Sequence, residues 1–189
     1  MLEDTPDEHV HVLLAQAVWG NHPLGYSILG TPETVTRFDS NTIKGYFSRA
    51  YQPERIVITA AGNLGHGPFV ESIARVFEVD RKENNFPERT KPTMDWVATA
   101  RPKSLEQVHI CLGVKGVHTT DPRRHACALL NVVLGGNMSS RLFQEIRERR
   151  GLAYAIFSFA SSYSDTGLLG VYVGVDKSNT QEVLRLIAK

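Results

Sequence analysis

The chain has little of what several function classes require. It has only two cysteines, Cys111 and Cys127. They form no C-x-x-C pair, which excludes a zinc ribbon or a thiol redox motif. Free thiols and a reducing compartment are the expectation, with the cytoplasm as the expected location. Charge of one sign is also missing. Lys and Arg number 21 against 20 Asp and Glu, for a net charge of +1. That gives no electrostatic case for nucleic acid or an anionic membrane. No apolar run approaches the ~20 residues of a membrane span. The acidic opening residues do not read as a signal peptide, which begins with a basic and then an apolar region.

Metal and phosphate motifs are equally scarce. There are seven histidines but no H-x-x-E-H, the spacing that sets two imidazoles on one helical face for zinc. His9 and His11 stand two apart on an expected helix and so point to different sides. No metal site within this chain is expected. Gly135-Gly136-Asn137 and Gly62-x-x-Gly65 read as turns, lacking the remaining positions of a nucleotide loop. Asp4, Asp7 and Glu8 suit a helix N-terminus better than a calcium loop. No Ser-His-Asp or Cys-His arrangement can be read from the order of residues.

What is present describes an ordinary globular protein. Thr5-Pro6-Asp7-Glu8 starts a helix that Gly20 to Gly25 ends. Thr31-Pro32-Glu33 starts a short helix, and Ser40 is placed to cap the next. Arg55 to Ala61 is rich in β-branched residues and reads as a buried strand. Phe69, Ile73, Val76 and Phe77 then recur at helical spacing. Residues 79–103 are polar and carry three prolines, as an extended connection would. Beyond it come a strand from Glu106 to Val114 and a helix capped by Asp121-Pro122. A helix over 141–149 follows, with Ser139 or Ser140 as its cap. A hairpin turning at Asp165-Thr166-Gly167 follows that, with Tyr154, Ile156 and Ser158 expected on one face. Ser178-x-x-Gln181 reads as a capping box for a last helix. Both chain ends fall at expected helices and look cut, as in a piece of a larger protein.

The segment from Arg141 to Tyr154 carries the most chemical information. Arg147 and Tyr154 lie either side of Gly151, which ends a helix. Guanidinium and phenol are both strong hydrogen-bond donors. Fixed by one helix-to-strand junction, the two could hold a peptide carbonyl or an oxyanion.

Six segments, in order, resemble the pitrilysin/insulinase family of zinc metallopeptidases, in the branch of bacterial processing proteases and the mitochondrial processing peptidase. They are Glu3-Asp4-Thr5-Pro6-Asp7, His22-Pro-Leu-Gly-x-x-Ile-Leu-Gly-Thr31, Tyr51-x-Pro-x-Arg-Ile-Val, Ala61-Gly62-Asn63, Leu134-Gly-Gly-x-Met-Ser-Ser-Arg-Leu-Phe143 and Arg147-x-x-x-Gly151-Leu-Ala-Tyr154. The resemblance implies an α+β fold of the LuxS and processing-peptidase type. Each domain is an antiparallel sheet backed by helices, and two domains close like a clam shell over a peptide. It implies that residues 1–80 end a first, catalytic-type domain. Residues 81–103 would be the interdomain linker, and 104–189 would begin a second, non-catalytic domain.

By the same resemblance, zinc would be held in the full-length parent by an H-x-x-E-H helix and a later Glu, all upstream of this chain. Glu3 is not carried over as a ligand, and no cofactor is expected in the fragment. Arg147 and Tyr154 match the family pair that reaches across the shell to the substrate backbone. The chain would then be a substrate-binding, non-catalytic segment of a zinc metalloendopeptidase, inactive alone. Its expected partners are a peptide or unfolded polypeptide and the remainder of the parent or a homologous subunit, with self-association through exposed apolar faces. The alternative is a structural or peptide-binding subunit of the same family without proteolytic activity, like the respiratory-chain core proteins.

Overall fold

A computed structural model describes residues 4–77 and 88–189. Met1 to Glu3 and the opening of the expected linker, Pro87 included, lie outside the described residues. The chain forms two compact units. One is Gly30–Thr90, and the other joins Met1–Leu29 to Lys91–Lys189.

Among its described residues the unit Gly30–Thr90 forms three α-helices, α2 (Pro32–Thr36), α3 (Ser40–Ala50) and α4 (His66–Val76). Helix α2 opens with a reciprocal cap. The Thr34 amide donates to Thr31 Oγ1 at 3.3 Å, and the Thr31 amide donates to Thr34 Oγ1 at 2.7 Å. Helix α3 is capped by Asp39, not by Ser40. The Asp39 carboxylate accepts the Thr42 amide at 2.7 Å and the Thr42 hydroxyl at 2.6 Å. The strand expected over Arg55 to Ala61 does not form. Pro53–Arg55 is a 3-10 turn, and residues 56–61 join no ladder, with Val57 largely open to solvent. Apolar content alone does not make a strand. Its amides need a neighbouring strand, and this unit has none among its described residues.

The other unit is built on a sheet of three antiparallel strands, β1 (Val108–Lys115), β2 (Ala153–Ser162) and β3 (Gly167–Val175), in the order β1-β3-β2. The β2–β3 hairpin closes where Asp165-Thr166-Gly167 is expected to turn. The Tyr163 amide donates to the Thr166 carbonyl across the loop at 2.9 Å. Strand β3 lies in the middle and is buried along nearly its whole length. It reads as a continuous apolar run because both its faces are covered, a pattern usually met in parallel sheets.

One face of the sheet carries the main core. Ile146, Val173, Val175 and Val183 are fully buried there, with Ile156, Val171, Leu142 and Ala153 around them. Each such side chain contributes about 1.5–3 kcal/mol by leaving water. Val183 comes from α6 (Thr180–Ile187). That helix is preceded by a 3-10 turn, Lys177–Asn179, held by Asp176. The Asp176 carboxylate accepts the Ser178 amide at 2.8 Å and the Ser178 hydroxyl at 2.6 Å. Asp176 thus takes the place of the expected Ser178 capping box. Helix α5 (Arg124–Leu134) is entered through Asp121, whose carboxylate accepts the Arg123 amide at 2.8 Å. The Arg123 guanidinium closes on the same carboxylate at 2.9 Å and holds it well below the usual range.

Helix α1 (Pro6–Trp19) covers the opposite face. Leu14 packs on Gly113 of β1, and a Cβ there would stand 3.1 Å from Leu14 Cδ1. His11 enters a group of rings, with centroids 4.9 Å from Phe159 and 5.4 Å from Tyr172, and its Nδ1 is 3.7 Å from Cys111 Sγ. His9, two residues earlier, meets Arg101 instead, with 3.4 Å between their nitrogens. The compact unit therefore groups α1 with the strands that follow residue 104.

Burial pushes the His11 imidazole below its ordinary value of 6.5, partly opposed by Asp7. The neutral ring is the form that packs. Unfolding releases it to bind a proton at its ordinary value, so its contribution is whole above that pH and is lost as pH falls below it. Thermal unfolding of the native chain between about pH 7.5 and pH 5 should show a steeper loss of stability than His11→Phe, which keeps a ring without the titration. Parallel profiles for the two proteins would contradict this.

Candidate functional site

The path to the site starts at the end of α5. The Gly135 carbonyl accepts the Ser158 amide of β2 at 3.0 Å, and the Ser158 hydroxyl donates to the Asn131 carbonyl at 2.9 Å. A Cβ on Gly135 would fall 2.5 Å from the Ser158 nitrogen, so only glycine permits this approach. Asn137 then organises the turn, its side-chain oxygen accepting the Ser139 amide at 2.8 Å. Neither expected serine cap acts through its side chain. The Ser140 hydroxyl donates to the Asn137 carbonyl at 2.5 Å.

The helix that follows is not a regular α-helix. Phe143–Glu148 forms a π-helical turn. The Arg149 amide donates five residues back, to the Gln144 carbonyl at 3.0 Å, so the turn takes up one extra residue. It ends at Gly151, whose φ of 61° lies in the left-handed region. The Gly151 amide donates to the Arg147 carbonyl and the Leu152 amide to the Ile146 carbonyl, both at 3.0 Å. Strand β2 then begins with a second extra residue. Ala153 pairs with Val175 and Ala155 with Gly174, which leaves Tyr154 as a β-bulge.

The bulge corrects the expected face of Tyr154. Ala153 and Ile156 both reach the main core, whereas Tyr154 between them is 74% exposed. Regular alternation would have put Tyr154 beside Ile156 and Ser158. The inserted residue turns it out to solvent.

Arg147 is exposed as well. Its guanidinium carbon lies 4.9 Å from the Phe143 ring centroid and 6.0 Å from that of Tyr154. The three arginines of this helix end are thereby sorted. Arg149 and Arg150 both pair with Glu145, at 3.4 and 2.7 Å, and Arg150 also reaches Glu182 at 3.6 Å. Arg150 and Arg149 hold the Glu145 carboxyl below its usual range. Among the described residues Arg147 has no carboxylate partner, and the Tyr154 hydroxyl has no hydrogen bond. A guanidinium lying against rings keeps its N–H edges free for an acceptor. Two donors, both exposed, thus stand side by side. Sequence reasoning named these two but not Phe143. The available signal was its position four residues before Arg147, where side chains on one helix meet.

No group of three or more His, Cys, Asp or Glu among the described residues could hold a metal ion. His11 and Cys111 are neighbours, but burial pushes the Cys111 thiol up to about 12, so it stays protonated at neutral pH. Thiolate is the form that ligates. Two neighbouring side chains are also fewer than the three or four protein ligands of a zinc site, so these residues do not fit one.

Comparison with known proteins matches residues 37–189 to the peptidase M16 inactive domain. The chain is 41% identical over 187 residues to YmxG of Bacillus subtilis, an uncharacterised zinc protease, covering 99% of this chain and 46% of that protein. It is 38% identical to an uncharacterised zinc protease of Streptomyces coelicolor, covering 98% of this chain and 42% of that one. Among solved structures, a peptidase M16 inactive domain from Pseudomonas fluorescens superposes with a TM-score of 0.79 at 22% identity, covering 98% of this chain and 46% of that one. A chain of complex III2 from Candida albicans gives 0.78 at 18%, with the same coverages. The chain belongs to the peptidase M16 inactive-domain family. It spans less than half the length of the curated relatives it matches. The α+β fold expected from the sequence is the fold observed. No helix among the described residues is long and apolar enough to cross a membrane.

Gly151 sits in open space. A Cβ added there would meet nothing within 4 Å, so a side chain at this position encounters only backbone strain. Gly151→Ala should destabilise the chain by about 1–2 kcal/mol in urea unfolding. A change of a few tenths would mean that the junction does not depend on the left-handed conformation.

Proposed function

We propose that this chain is the substrate-handling part of a zinc-dependent metalloendopeptidase, with Arg147 and Tyr154 as its working residues. The observation that carries this reading is the double irregularity around Gly151. A π-turn and a β-bulge, each holding one extra residue, present the two donors together. Both devices are enriched next to active sites. Membership of a family whose relatives are named zinc proteases supports it.

In this reading residues 1–80 end a catalytic-type domain, 81–103 link it onward, and 104–189 begin the non-catalytic domain. The zinc and the general base belong to the part of the whole protein that this chain does not include, and the cytoplasm is its compartment. A homologous subunit could take the place of that part. The residues here act on the peptide. An Arg147 N–H donates to a carbonyl of an extended substrate and fixes its register. The Tyr154 hydroxyl donates to the scissile oxygen as negative charge builds on it. The Tyr154 bond strengthens in the transition state, which accelerates the reaction instead of only tightening binding, and the Arg147 bond keeps the scissile group in place for it.

The test uses the whole protein and a fluorogenic peptide. Arg147→Ala and Tyr154→Phe should each lower kcat/KM by about 100- to 1000-fold with zinc content unchanged. Unchanged turnover in both variants would overturn the assignment. Absence of turnover in the native whole protein would favour the core-protein-like, non-proteolytic reading.

A further inference from the structure

A long, exposed arginine with no anion to hold it samples many rotamers, and a donor that wanders is a poor clamp. Arg147 is in that position on charge grounds, because Glu145 is already engaged by Arg149 and Arg150. What lies against it is the ring of Phe143, half-buried on the same π-turn, with the guanidinium carbon 4.9 Å from the ring centre. Tyr154 flanks it at 6.0 Å. The face of an aromatic ring carries negative charge density, which attracts a cation lying over it.

We propose that Phe143 is the positioning residue of this site: its ring face holds the Arg147 guanidinium beside Tyr154 and leaves the N–H edges aimed outward. For its effect on turnover the proposal rests on the reading of Arg147 as a peptide donor. The contact itself does not, so the two can fail separately. Phe143 itself touches no substrate. It removes rotamers from Arg147 before a peptide arrives.

The contact is tested in the 189-residue chain by NMR. The side-chain protons of Arg147 should show an upfield ring-current shift that is lost in Phe143→Leu and kept in Phe143→Tyr. Pentafluorophenylalanine at 143 keeps the ring's shape but removes its negative face. It should also release Arg147, and it serves where the leucine variant does not fold. An Arg147 shift unchanged in both the leucine and the fluorinated proteins would overturn the proposal.

The consequence is tested in the whole protein by peptide turnover. Phe143→Leu should lower kcat/KM roughly fivefold, as expected for one exposed cation–π contact, and Phe143→Tyr should stay within about twofold of native. In the Arg147→Ala background Phe143→Leu should cost nothing further, because a positioning residue has no effect without the residue it positions. The same loss in that background would make Phe143 a packing residue and sink the proposal. If Arg147→Ala alone left turnover unchanged, the functional reading would fail, while the NMR result would still decide the contact.

Discussion

The burial of Ile146 is the contact on which the site depends. Its side chain is fully enclosed with Val173, Val175 and Val183, and its carbonyl accepts the Leu152 amide. One residue is thus pinned to the sheet by both side chain and backbone. The next residue along the turn is Arg147, which cannot follow Ile146 inward and is left in solvent. A fully buried isoleucine contributes about 1.5–3 kcal/mol. The hydrophobic core therefore does more than hold the domain together. It fixes where the one unengaged arginine of the helix end emerges.

The charges follow the same logic. Three arginines crowd the end of one helix, where positive charge is favoured by the helix dipole. Glu145 gathers two of them, and Glu182 of α6 assists with Arg150. Surface ion pairs of this kind add little stability. Their effect here is selective: they engage Arg149 and Arg150, whereas Arg147 lies against rings.

Much of this was legible in the sequence, and the failures have physical causes. The hairpin, the sheet strands at 108 and 167, and the helices beginning near Pro6, Pro32 and Arg124 follow from periodicity and punctuation. Arg147 and Tyr154 were readable as a pair because Gly151 marks a left-handed junction between them. The strand expected at Arg55 to Ala61 failed because strand formation is decided by a partner's amides, which local composition does not report. Caps moved by one or two residues, from Ser40 to Asp39 and from Ser178 to Asp176, since acidic side chains accept amide hydrogen bonds at least as well as hydroxyls. The π-turn and the bulge were invisible. Each inserts a residue without changing composition, and only the packing of Ile146, Ala153 and Ile156 reveals the shift in phase.

That shift has a consequence for how the segment can vary. A single-residue deletion between Phe143 and Ala155 would find two places to be absorbed, by restoring a regular α-helical turn or by flattening the bulge. Either repair would leave the sequence recognisable. Yet the first would rotate Arg147 about the helix axis, and the second would carry Tyr154 to the inner side of the sheet. Residue spacing across this junction is therefore under a geometric restriction separate from residue identity, and a chain with a shortened loop here can keep both residues in its sequence while losing the pair in space.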